Sequence, residues 1–67
     1  MTELRRIRSR QGLSMTALAL RANVSPSTLS LVERGKRPSR RTADRIAAAL
    51  ALAPWAVWKD YDGFRPY

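Results

Sequence analysis

Residues 14–35, SMTALALRANVSPSTLSLVERG, decide how the rest of this chain is read. Ser14 suits a helix start, because its hydroxyl accepts from an orphan amide in the first turn. Leu18, Ala19 and Ala22 then fall on one helical face. Asn23 follows, and asparagine tolerates the left-handed conformation that ends a helix and turns the chain. Ser25-Pro26 is a second start, with proline at the first helical position, where its missing N–H costs nothing. Leu29 and Val32 supply the inward face of the second helix, and Gly35 stops it. The stretch predicts two short helices joined by a tight turn, the second running from Pro26 to Arg34.

Outward from it, the same signals repeat. Thr2 caps a first helix with Glu3 in its first turn. Leu4 and Ile7 mark its buried stripe, Arg8 lies at the edge of that stripe, and Arg5, Arg6 and Arg10 look outward. Gly12 ends this helix and Leu13 returns to the core. After the basic loop Lys36-Arg37-Pro38, Ser39 caps a fourth helix over about Arg40 to Ala51, with Ala43, Ile46, Ala47 and Leu50 inward. Ala53-Pro54 opens a short fifth helix through about Lys59. The remainder, YDGFRPY, holds Gly63 and Pro66 and reads as irregular. No stretch alternates as a strand does. The expected fold is all-α, five helices, compact, with residues 1–59 as the domain and 60–67 as an aromatic tail.

Composition narrows the function classes. Sixty-seven residues bury too little surface for a deep cleft together with a catalytic apparatus, so an enzyme is not expected. There is no cysteine for a thiolate metal site and no histidine for a general base, and no metal or cofactor is expected. No apolar run reaches membrane-spanning length, which leads to the expectation of a soluble, cytoplasmic protein. The net charge of +8 is one-sided. Residues 1–45 hold eleven Arg or Lys against Glu3, Glu33 and Asp44, whereas residues 46–67 balance Lys59 and Arg65 against Asp60 and Asp62. A strongly basic half suits a polyanion, of which nucleic acid is the usual one. Eleven of the thirteen basic residues are arginine, which bonds phosphate and guanine edges bidentately. A GC-rich genome gives the same bias without any function. Together, the paired helices and the charge predict a helix-turn-helix whose second helix meets double-stranded DNA.

The run from Leu4 to Leu52 resembles the phage repressor and Cro family of helix-turn-helix proteins, also called the XRE family, over about the first fifty-two residues. The resemblance rests on Ile7-Arg8 in the first helix, Gly12-Leu13-Ser14, Leu18-Ala19, Val24-Ser25, Ser27-Thr28-Leu29-Ser30, Glu33-Arg34-Gly35-Lys36-Arg37 and Ile46-Ala47-x-x-Leu50. It implies that the first turn of the helix after Ser25 enters the major groove. By position, Ser27, Thr28 and Leu31 are then the base readers, with Pro26 at the groove mouth. Serine and threonine donate or accept and so specify weakly. Leu31 stands where the family often carries Arg, Lys or Gln; it can pack on thymine methyls, or it is an apolar filler on a partly exposed face. Met15 replaces the family's usual Gln and cannot donate that residue's phosphate bond. The matching Arg8 and Glu33 are expected to pair and tie the first helix to the third, the alternative being two independent surface charges.

Phosphate contacts are expected from Arg10, Ser30, Arg34, Lys36, Arg37, Arg40 and Arg41, the last four flanking the fourth helix start; the alternative for each is solvated surface charge. All five aromatics, Trp55, Trp58, Tyr61, Phe64 and Tyr67, recur every three residues in the last thirteen. Three readings stand: Trp55 or Trp58 caps the core, Trp55, Trp58, Tyr61 and Phe64 serve a homodimer, or they meet another protein. The resemblance implies a phage or bacterial transcriptional regulator acting on the nucleoid, most simply a homodimeric repressor occupying a palindromic operator. Two alternatives are an antitoxin whose aromatic tail binds its toxin and a protein-binding adaptor without a DNA role.

Overall fold

Four helices begin on a hydroxyl. The side-chain oxygens of Thr2, Ser14, Ser25 and Ser39 accept from the amides of Arg5, Ala17, Thr28 and Thr42 at 3.3, 3.0, 3.1 and 3.3 Å. The computed structural model describes residues 2–66, and these caps open α1 (Glu3–Arg10), α2 (Met15–Ala22), α3 (Pro26–Glu33) and α4 (Arg40–Ala49). A fifth helix, α5 (Pro54–Val57), starts on Pro54 without a side-chain cap. The fold is all-α, with no strand among the described residues.

The same four helices also end alike. A residue with positive φ follows each one: Gly12 at 71°, Asn23 at 57°, Gly35 at 113° and Ala51 at 59°. In each case an amide just beyond the helix returns to a carbonyl in the last turn, as when Val24 N–H donates to Ala19 C=O at 3.0 Å and Leu52 N–H to Ala47 C=O at 3.0 Å. Ala51 departs from expectation, since the sequence predicts helix as far as this residue and α4 ends at Ala49. The backbone there turns left-handed although alanine has a Cβ, a conformation that costs about 1–2 kcal/mol.

The α2 helix lies centrally, packed on both α3 and α4. Leu4, Leu18, Leu29, Ile46 and Leu50 are fully buried around it. Ala19, Ala22 and Ala47 are buried with them, and their small side chains let the helix axes approach. Polar ties close the periphery. Gln11 Nε2 donates to Leu50 C=O at 3.0 Å, joining the ends of α1 and α4.

The C-terminal segment differs most from expectation. The α5 helix ends at Val57 rather than Lys59, because Trp58 takes an extended backbone and turns its ring toward the core. The residues read as an irregular tail hold a 3-10 turn, Tyr61–Gly63, and Phe64 is only 3% exposed. Phe64 sits outside the main core cluster, its ring 5.9 Å from Trp58 and 5.7 Å from Tyr61. The three-residue recurrence of rings thus builds a small satellite core. No helix among the described residues is long and apolar enough to cross a membrane.

Candidate nucleic-acid interface

The α3 helix buries Leu29 and Val32 and turns its other side outward. Pro26, Ser27, Leu31 and Arg34 are exposed, and Ser30 is half-buried; these five line one open depression. Thr28 points to the neighbouring side. Its hydroxyl oxygen accepts from Ser25 Oγ at 2.8 Å and so retains its own proton for donation. Thr28 and Leu31 line a second depression with Lys36, Arg37 and Ser39, between α3 and the start of α4. Leu31, 42% exposed, therefore borders both depressions and is the apolar centre of this face.

What fixes α3 is Arg8. Its Nε donates to Glu33 Oε2 at 2.6 Å and a terminal nitrogen to Oε1 at 3.2 Å, a bidentate fork. The other terminal nitrogen donates to Leu13 C=O at 2.8 Å, a contact the sequence did not announce. One guanidinium thus joins α1, the lead-in to α2 and the end of α3. The side chains are 14% and 8% exposed, so the pair is largely shielded from water.

The basic residues divide into groups. Lys36, Arg34 and Arg41 are exposed beside α3 and α4. Arg5, expected only to look outward, borders a depression with Arg8, Met15, Ser30 and Arg34, which Arg10 does not line. Arg10 is exposed at the end of α1. Arg37 donates to Asp60 Oδ2 at 2.7 Å with its guanidinium 5.5 Å from the Phe64 ring centre. With both side chains more than half exposed, that pair is worth little and exchanges readily. Arg40, half-buried, is engaged by its own chain. It donates to Asp62 C=O at 2.7 Å and lies 5.9 Å from the Tyr61 ring centre, with its Nε buried and unbonded among the described residues. The reason is the folded-back segment, which offers a carbonyl and a ring nearer than solvent.

The aromatic residues divide too. Trp58 packs on the core, Tyr61 donates from its hydroxyl to Asp44 Oδ1 at 2.5 Å, and Phe64 is buried. Burial takes Phe64 out of the expected dimer or partner surface, while Trp58 and Tyr61 pack on their own chain and stay half-buried. Trp55 stays 67% exposed, and Tyr67 lies outside the described residues. Among the described residues, no group of three or more acidic residues is placed to hold a metal ion.

The geometry offers a capped, rigidly held helix with a small-polar and apolar face, flanked by arginines and lysine. That is the arrangement in which a helix lies in the major groove while flanking cations meet phosphate. A search among curated proteins and one among solved structures each gave no match. A family model described as helix-turn-helix matches residues 4–54, which span α1 to the start of α5. The chain belongs to the XRE-type helix-turn-helix family of DNA-binding transcription regulators.

Proposed function

We propose that this protein represses transcription by occupying a palindromic operator as a homodimer. The observation that carries the reading is the α3 face. Ser27 and Leu31 are exposed and Thr28 half-buried, while Arg8 and Glu33 hold the helix that bears them. Ser27 and Thr28 offer hydroxyls to base edges, Leu31 packs on thymine methyls, and Pro26 lies at the groove mouth. Arg34, Lys36, Arg37 and Arg41 meet backbone phosphates, with Arg5 and Ser30 beside Arg34 and Arg10 beyond them. Arg40 holds the C-terminal segment against the start of α4. Trp55 is the exposed ring available to a twin chain.

Because few of these groups read bases, affinity comes mainly from phosphate contacts and base choice from Leu31, the two hydroxyls and DNA shape. A duplex-binding titration at rising salt, with the mass of the complex measured, tests this. The proposal predicts affinity falling steeply with salt and two chains per duplex. A flat salt response contradicts the phosphate contacts. A partner protein retained through Trp55, with no duplex bound at low salt, would favour the antitoxin or adaptor reading.

A further inference from the structure

The fold moves one cation to a place the sequence does not suggest. Arg65 belongs to the charge-neutral C-terminal third of the chain. Burial of Phe64 fixes the backbone beside it, and Arg40 N–H donates to Arg65 C=O at 2.9 Å. The backbone of Arg65 is thereby pinned to the first residue of α4, while its side chain is exposed and in neither ion pair of the described residues. An open depression of about 600 Å³ results, walled by Lys36, Arg37, Ser39, Phe64 and Arg65. Lys36, Arg37 and Ser39 also wall the depression beneath Thr28 and Leu31 on α3. The two depressions therefore share the basic loop as a common wall. Three cations border the outer one, and the Asp60 carboxylate is bonded to Arg37 alone among them.

We propose that Lys36, Arg37 and Arg65 form a phosphodiester-binding site, an extension of the DNA interface contributed in part by the C-terminal segment. The proposal rests on the DNA-binding reading of α3. A phosphate entering beside Arg65 finds Lys36 and Arg37 within the same depression and takes over the role of Asp60 at Arg37, since that exposed pair is weak. The contact lies outside the groove that α3 reads and carries no base information.

The test compares Arg65→Gln with Arg21→Gln, an exposed arginine on the last turn of α2, in duplex-binding titrations over a range of salt. Arg65→Gln keeps the backbone carbonyl that Arg40 uses, so its thermal unfolding should match wild type. Losing one phosphate contact should make the log–log salt slope shallower by about 0.9, so that its deficit shrinks about three- to fourfold between about 50 and 200 mM salt. Duplexes of unrelated sequence should lose the same factor. In a second arm, Asp60→Asn should tighten binding more than Asp62→Asn does. A slope for Arg65→Gln equal to that of Arg21→Gln overturns the site, as does a loss confined to one duplex sequence or an Asp60→Asn effect no larger than that of Asp62→Asn. If wild type itself binds no duplex, the DNA-binding reading fails instead.

Discussion

The helix-turn-helix and the C-terminal segment are held in place by different means. Between α2 and α3, small and branched aliphatic side chains carry the packing: Leu18, Ala19 and Ala22 against Leu29 and Val32, all at most 4% exposed. The segment from Trp58 to Arg65 is held by rings, arginines and single hydrogen bonds: Phe64 against Trp58 and Tyr61, Arg37 and Arg40 over those rings, and Tyr61 on Asp44. The first arrangement sets a crossing geometry, because an alanine at a crossing fixes how near two helices come. The second sets where charges stand, because Arg37, which helps clamp the segment, also lines the depression beside Thr28 and Leu31.

The largest effects should separate the two regions. Leu29→Ala should cost about 4 kcal/mol of unfolding free energy, read by urea denaturation, since a fully buried leucine leaves a cavity at the α2–α3 crossing. Phe64→Ala should cost about 3 kcal/mol, near the low end for a buried aromatic, because it lies outside the main cluster. A Phe64→Ala cost no larger than that of a surface substitution, within about 0.5 kcal/mol, would mean that the segment is not part of the folded unit.

Arg8→Ala comes next, at more than about 2 kcal/mol, because Glu33 would be left largely buried and unpaired and Leu13 C=O would lose its donor. Arg6→Ala, on the exposed side of the same helix, should change stability by less than about 0.5 kcal/mol. Equal effects from the two would reduce Arg8 and Glu33 to surface charges.

The smallest effect has the opposite sign. Ala51→Gly should stabilise by about 0.5–1 kcal/mol, because glycine removes the left-handed penalty at φ 59° while losing somewhat more chain entropy. A destabilisation there would show that the methyl of Ala51 contributes more than its backbone strain costs.

The contrast also explains what the sequence revealed. Helix starts were legible at Thr2, Ser14, Ser25 and Ser39 because a cap is a local event, completed three residues later. The end at Asn23 was legible for the same reason, whereas Ala51 was not, since alanine carries no turn signal. Family pattern pointed to the face of α3 and to the Arg8–Glu33 pair. The C-terminal segment was illegible because its ties join residues far apart in the chain: Asp44 to Tyr61, Arg40 to Asp62 and Arg37 to Asp60 span 17, 22 and 23 positions. Two of the three are made by arginines whose place beside the fourth helix start suggests phosphate instead. Arg40 is engaged by that segment, and Arg65 draws no notice in a sequence whose C-terminal third sums to zero charge.

That α3 reads DNA sequence is tested most directly by selecting bound duplexes from a random pool, with wild type and with Leu31→Ala. The account predicts an enriched palindromic site for wild type, and for Leu31→Ala the same half-site geometry with relaxed choice at one or two positions in each half. Recovery of an unenriched pool by wild type, despite measurable duplex binding, would contradict it.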